Sequence, residues 1–520
     1  MKLSSFQCHV LIACCVTNYA EAAGSFKLDF VKEQNANTHL QRRGTPSEVP
    51  LVLNGLYVIN VTVGNPPQSL SLFVDTGSSN TWFPSVDSSA CQAANGSCYG
   101  GIGFDPAHSS SLQFLNNGSF EAAYGTGQAT GDYITDTLSI GSATVNNLTM
   151  GLAANISGPI SNGLLGMGYD SLESLAQTSG VQFPGVLTLL QQAGVIARRA
   201  FSVYLDDQES GVGSILFGGI DTSKYTGDLI TVAITPNASG VYDRYRVDLT
   251  AVSFLDSTGK SNLLSPANMS APCAVDTGAS INILPASVSQ ALVEGLGAIS
   301  YAGVYFVDCA LRDSNTSVLF QFGGSAGPTI KVPMSEMLGL PLGFTFSDGN
   351  SGCLLNVNQV DDVDFQSIFL GGFTIGDPVI QSAYVVYDVD NNEISWAQAA
   401  FNKSRKGTIL DIPAGTGLPG VTSTATATAT QLPTTAPQSL LSQLSLSLLG
   451  NLTATAPQLT ATTQLPFTPS SPSFNIAVAT GSTATGNAAP TTSSSSVTGR
   501  NLHLGVCSVS VAAAVVYLFW

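Results

Sequence analysis

Leu72-Phe73-Val74-Asp75-Thr76-Gly77-Ser78 and Ala274-Val275-Asp276-Thr277-Gly278-Ala279 are two copies of one pattern, apolar residues running into Asp-Thr-Gly. Glycine accepts backbone conformations and close approaches that a side chain blocks, so each copy predicts a strand ending in a tight turn, with one carboxylate at its buried end. The two acids are 201 residues apart (75 to 276). Brought together, they cannot both ionise cheaply; such a pair holds one proton between them and can act as acid and base in one turnover. A single Asp-Thr-Gly reads as an ordinary strand and turn, and the second copy changes that. Gly163-Leu164-Leu165-Gly166 follows the first motif and Phe369-Leu370-Gly371-Gly372 the second, with 91 residues from Asp75 to Gly166 and 95 from Asp276 to Gly371. A repeat of that period is too long for a solenoid and predicts a duplicated lobe.

With these motifs the chain resembles the pepsin-like aspartic proteases, over about Asn54 to Gln398. Tyr57-Val58-Ile59-Asn60-Val61-Thr62-Val63-Gly64-Asn65-Pro66-Pro67-Gln68 is similar to that family's first hairpin, and Ser79-Asn80-Thr81-Trp82-Phe83-Pro84 to the segment after the first catalytic turn. Tyr124-Gly125-Thr126-Gly127 resembles the flap that closes over substrate, with Tyr124 capping the substrate and Trp82 bracing it. Phe201-Ser202-Val203-Tyr204-Leu205 and Phe217-Gly218-Gly219-Ile220-Asp221 resemble the strands leading into the second lobe, and Val386-Tyr387-Asp388 with Trp396-Ala397 the last strands. The resemblance implies a mostly-β, bilobal acid protease fold, two similar β-barrel-like lobes with a catalytic cleft between them and one aspartate from each. The short Gly-, Asn-, Asp- and Ser-punctuated runs of alternating residues independently argue for strands. Leu187-Thr188-Leu189-Leu190-Gln191-Gln192 and Val288-Ser289-Gln290-Ala291-Leu292-Val293 are the expected helices.

Composition narrows the chemistry. The chain carries a net charge of −17, and residues 44 to 487 keep 31 acidic and 11 basic side chains, a net of −20. Such a surface repels phosphate, which argues against nucleic acid as a partner, and it suits an acid medium in which many carboxylates are protonated. Of the four histidines, His9, His39, His108 and His503, only His108 falls in the expected mature chain, in the turn-like Asp105-Pro106-Ala107-His108-Ser109. A Ser-His-Asp or Cys-His enzyme would have to use it. No Cys or His spacing suits zinc, so neither a metal nor a cofactor is expected, and paired carboxylates are the chemistry left.

The order of segments predicts a secreted, anchored protein. Residues 1–23 read as a signal peptide, with Lys2, an apolar stretch and small residues near Ala23. Residues 24–43 read as a short pro-segment ending in Arg42-Arg43, a dibasic site for a kexin-type processing protease at Arg43, with Lys32 a candidate to meet the catalytic acids in the zymogen. Arg198-Arg199, also dibasic, reads as a solvated turn. The first lobe is expected over 44–225 and the second over 226–405. Residues 406–487 are rich in Ser, Thr, Ala and Pro, with no charged residue between Asp411 and Arg500, and read as a stalk unable to bury a core. Around and after the start of 488–520, small Asn487-Ala488-Ala489 is followed by the polar spacer Pro490 to Arg500 and an apolar end, Leu502 to Trp520. That order reads as a glycosylphosphatidylinositol (GPI) attachment signal with Asn487 as the site, an ordinary membrane span being the alternative. Stalk, anchor and dibasic site make the chain resemble the yapsin-type and candidapepsin-like cell-surface proteases of fungi. A monomer is expected.

Nine cysteines divide into Cys8, Cys14 and Cys15 in the leader, Cys507 in the tail, and five between. In a secreted chain the five imply disulfides. Cys91 and Cys98 enclose a short loop, while the pairing of Cys309 with Cys353 is what the family resemblance implies. Cys273 is left over and reads as a packed thiol. Glycosylation is expected at Asn95, Asn117, Asn147, Asn155, Asn237, Asn268, Asn315, Asn402 and Asn451; the tenth sequon, at Asn60, sits in an expected strand and is not.

In the implied mechanism Asp75 and Asp276 hold a water, the ionised partner deprotonating it and the protonated one hydrogen-bonding the scissile carbonyl. Gly77 and Gly278 offer backbone amides, and Thr76 and Thr277 support from behind. Ser78 supplies a hydroxyl to its carboxylate that Ala279 does not, which predicts a dyad working at less acid pH than a Thr or Ser would give. Fungal relatives that favour lysine before the scissile bond often carry an acid after the flap's Tyr-Gly; Thr126 stands there, with Asp132 nearby. Large apolar side chains are therefore expected to be accepted, with a yapsin-like preference for basic residues as the alternative. An inactive peptide-binding member and a structural wall mannoprotein are the non-enzymatic readings. Neither accounts for two intact Asp-Thr-Gly turns.

Overall fold

The alternation in Tyr57–Val63 becomes a strand in the computed structural model, with Tyr57, Ile59, Val61 and Val63 buried and Asn60 exposed. It pairs antiparallel with Gln68–Asp75, from Val58 against Phe73 to Val63 against Gln68, and this hairpin delivers Asp75 to the centre of the molecule. The structure describes residues 24–32, 56–92, 103–124, 127–158, 162–301, 303–341, 343–360, 372–401, 405–425 and 474–478, with short strands at Gln458–Leu459 and Val509–Ser510.

The chain makes one strand crossing twice. Gln68–Asp75 lies parallel to Leu164–Gly166, which lies antiparallel to Trp82–Pro84. Ala271–Val275 lies parallel to Phe373–Ile375, which lies antiparallel to Asn282–Pro285. In each half a later segment thus inserts between the strand before the Asp-Thr-Gly turn and the strand after it, the duplication the repeat implied. Its second landmark is displaced from the expected one. Asp75 pairs with Gly166, and the register Val275 against Ile375 puts Gly376 in the equivalent place beside Asp276. Phe369 to Gly371 lie outside the described residues, and Gly372 precedes the strand. The offsets are therefore 91 and 100 residues. Packing explains why glycine recurs: a Cβ on Gly166 would lie 2.3 Å from the Ser79 carbonyl carbon, and one on Gly376 2.3 Å from the Ile281 oxygen.

A fourteen-stranded sheet joins the halves, and an eight-stranded sheet carries much of the second. In the larger sheet Ala200–Tyr204 pairs with Val212–Phe217 on one side and Ala383–Asp388 on the other. One apolar cluster runs through both halves, from Tyr57 and Leu72 to Trp396. The two expected helices are present as Val186–Gln192 and Ala286–Leu296.

Two expectations change. Arg198-Arg199 is not a solvated turn: Arg198 is 1% exposed and donates to Asp388 at 2.9 Å and to the Gly417 carbonyl, while Arg199 donates to Asp390 at 2.6 Å. Partners 190 residues later in the chain are invisible to local reading. The segment from residue 406 is not all stalk. Ile409–Asp411 pairs with Gly219–Asp221, Val421–Ala425 runs parallel to Tyr225–Ala233, and Ile412, Leu418 and Ala425 are buried, because its few apolar residues find partners on strands of both halves. Farther along, Phe474 stacks on Phe254 at 4.1 Å. Within 24–43, Phe26–Lys32 is a strand between Val212–Phe217 and Tyr57–Val63. Lys32 ends it opposite Tyr57, and its side chain lies outside the described residues, as do Arg42-Arg43.

Cys309 and Cys353 form a disulfide with Cα atoms 4.9 Å apart. Cys91 is disulfide-bonded, and its expected partner Cys98 lies outside the described residues. Cys273 is a buried free thiol that burial pushes well above the usual thiol range. Asn147, Asn155, Asn268 and Asn315 are exposed; Asn237 is half-buried, its amide donating to Asp243. Asn95, Asn402, Asn451 and the Asn117 side chain lie outside the described residues. So do residues 1–23, Asn487 and, apart from Val509–Ser510, residues 488–520. No helix among the described residues is long and apolar enough to cross a membrane.

Candidate active site

The two Asp-Thr-Gly turns meet face to face. Each threonine crosses to the other turn: the Thr76 N–H donates to Thr277 Oγ1 at 3.1 Å and the Thr277 N–H to Thr76 Oγ1 at 3.0 Å. Their hydroxyls then donate to the Val275 and Val74 carbonyls, at 2.9 and 2.8 Å. Four buried hydrogen bonds thus fix one turn against the other. The threonines couple the halves.

The glycines are required by the opposite carboxylate. A Cβ on Gly77 would stand 2.2 Å from Asp276 Oδ2, and one on Gly278 2.6 Å from Asp75 Oδ1; real Cβ contacts do not come so close. The same residues hold their own acids, the Gly77 N–H donating to Asp75 Oδ1 at 2.8 Å and the Gly278 N–H to Asp276 Oδ1 at 2.7 Å. Asp75 also accepts a short bond from the Ser78 hydroxyl. Ala279 offers none to Asp276. Burial, followed by the charge of Asp75, to which it is hydrogen-bonded, holds Asp276 well above the usual carboxylate range.

Trp82 is 1% exposed, and its indole N–H donates to the Tyr124 hydroxyl at 2.8 Å. The rings stack at 6.4 Å, and Tyr124 ends Gln113–Tyr124, which pairs with Gly127–Ile140 across the hairpin tip. Burial and the nearby Asp75 push the Tyr124 phenol up, so it stays protonated. Gly125 and Thr126 lie outside the described residues. His108 is exposed on a single helical turn, hydrogen-bonded to Asp105.

Sequence reasoning did not single out Arg244. Arg246 pairs with Ala274, and the Val275 N–H donates to the Tyr245 carbonyl at 2.9 Å. Continuing that antiparallel register puts Arg244 opposite Asp276. Its guanidinium donates to the Gly77 carbonyl at 3.0 Å. The available signal was the alternation in Arg244-Tyr245-Arg246-Val247, which separates cations from apolar residues but does not say what the cations face.

Residues 56–399 match the family model described as eukaryotic aspartyl protease. The probable aspartic-type endopeptidase opsB of Aspergillus oryzae is 36% identical over 375 residues, 71% of this chain and 73% of that protein. Aspartic proteinase yapsin-3 of Saccharomyces cerevisiae is 29% identical, over 73% of this chain and 74% of its own. The crystal structure of an aspartic proteinase from Irpex lacteus has the same fold, with a TM-score of 0.54, 23% identity and coverage of 73% of this chain and 99% of that one. With the match spanning both interlocked turns, the chain belongs to the eukaryotic aspartyl protease family and is an aspartic-type endopeptidase.

Proposed function

We propose that Asp75 and Asp276 activate one water between them and hydrolyse peptide bonds of proteins at acid pH outside the cell. The observation that carries this reading is the reciprocal fit of the turns, in which each glycine leaves room for the other half's carboxylate. Asp75 accepts two hydrogen bonds from its own turn and Asp276 one, and burial with the charge of Asp75 raises Asp276, so the pair's shared proton is assigned to Asp276. Aspartic proteases are the type case of two carboxyls sharing a proton. Asp75 takes a proton as the water oxygen attacks the scissile carbonyl carbon. Asp276 gives its proton to the carbonyl oxygen, which becomes a hydroxyl of the tetrahedral intermediate; as the C–N bond breaks, Asp75 passes the proton it took to the leaving nitrogen and Asp276 regains one from the hydroxyl that becomes the product carboxyl. Tyr124, held by Trp82, closes over the bound peptide. Large apolar side chains are accepted beside the scissile bond.

The order of segments supports secretion, processing after Arg43 and a GPI anchor at Asn487. Cleavage of a denatured protein at acid pH, blocked by a statine-type inhibitor and lost in Asp75→Asn, tests the activity; cleavage insensitive to both would refute it. Release from membranes by a phosphatidylinositol-specific phospholipase tests the anchor, and retention would refute it.

A further inference from the structure

We propose that Arg244 is the counter-charge of the aspartate pair and a specificity-determining cation of the cleft, favouring Asp or Glu and disfavouring Lys or Arg in the substrate position beside Gly77. The inference rests on the reading of Asp75 and Asp276 as the catalytic pair. Three observations carry it. The strand register sets Arg244 opposite Asp276. Arg244 is half-buried, and its guanidinium bonds the carbonyl of Gly77, whose N–H holds Asp75. On its own segment Arg244 faces Asp243, which attracts it but is also paired with Arg246 and accepts from Asn237, and Arg246, which repels it. The other facing charges are Asp276 and Asp75, from the two turns. A pair sharing one proton carries one net negative charge, and Arg244 supplies one positive charge.

Two consequences follow from Coulomb's law in a partly desolvated site. A cation facing the pair favours its ionised forms, consistent with the downward pull of Arg244 on Asp276. A cationic substrate side chain placed beside Gly77 meets a like charge, and an anionic one a partner. This bears on the open question of basic preference: at that position the cleft selects against Lys and Arg.

The test uses the purified enzyme and peptides identical except for Glu, Gln or Lys at successive positions flanking the scissile bond. At one flanking position, kcat/KM should fall in the order Glu, Gln, Lys, with about tenfold or more between the extremes, as a partly desolvated charge contact of about 1.4 kcal/mol gives. Arg244→Gln should flatten that order and move both limbs of the kcat/KM profile on the Gln peptide upward by about 0.5–1 pH unit. Arg244→Lys should restore the order and the limbs, which a merely structural loss would not do. Equal rates on the Glu and Lys peptides at every position with the wild-type enzyme overturn the proposal even if neither variant folds. So do unmoved limbs in a folded Arg244→Gln. Absence of all cleavage by the wild type would instead strike the catalytic reading.

Discussion

Ala279 stands where the first turn has Ser78, and this one-residue difference divides the pair. Asp75 accepts from the Gly77 N–H and the Ser78 hydroxyl, whereas Asp276 has the Gly278 N–H and no hydroxyl at position 279. Asp276 is already raised, by burial first and by Asp75 second. Adding a donor to its ionised form lowers it, so Ala279→Thr should shift the alkaline limb of kcat/KM to more acid pH, by about one unit if the new bond contributes about 1.4 kcal/mol. An unchanged or upward-shifted limb would contradict the assignment. Gly77→Ala tests the close approach: with 2.2 Å to Asp276 Oδ2, the added carbon must displace the carboxyl, and kcat should fall by about 100-fold or more while the fold persists. Both acids were legible because the motif is local. Arg244 was not, since its importance depends on a register that brings 244 opposite 276.

At the scale of elements, the turn at Asp170–Leu172 and the helix Ser174–Ser179 enclose Glu173, which is 2% exposed. Burial, followed by the charge of Asp170, pushes its pKa up from 4.5 to about 9. An acid with a folded pKa above its unfolded value contributes its full stability below the unfolded value and loses it as pH rises through the folded one. Stability should therefore decline from about pH 4.5, by about 3 kcal/mol at pH 7 from this group alone. Glu173→Gln should reduce the loss of thermal stability between pH 4 and pH 7; an unaltered loss would show that Glu173 ionises freely in the fold. A different buried group sets the opposite hazard. Removing one partner of a buried ion pair strands the other, so Arg198→Ala should cost about 3–5 kcal/mol in a urea titration. Helices at 186–192 and 286–296 were readable from apolar runs, whereas Arg198 was read as surface because its partner Asp388 comes from a distant strand.

Across the whole molecule, the duplicated crossing was legible from two motifs, although the second landmark lay at Gly376, where register rather than spacing identifies it. Composition suggested an unfolded stalk from residue 406. It missed that Ile409–Asp411 and Val421–Ala425 pair with strands and that Ile412 and Leu418 bury against the core, those two side chains contributing about 3–6 kcal/mol toward holding the segment. A chain ending at Lys406 should therefore melt several degrees below one ending at Ala425, and equal melting temperatures would mean that this segment is not seated. The central claim is that two half-sites from two duplicated halves make one catalytic unit. It is tested most directly by measuring kcat on one peptide for Asp75→Asn, Asp276→Asn and the double variant at acid pH. Groups that act as a unit give non-additive losses, so each single variant should lose about as much as the double one. Separate, multiplying losses, or activity retained in either single variant, would contradict it.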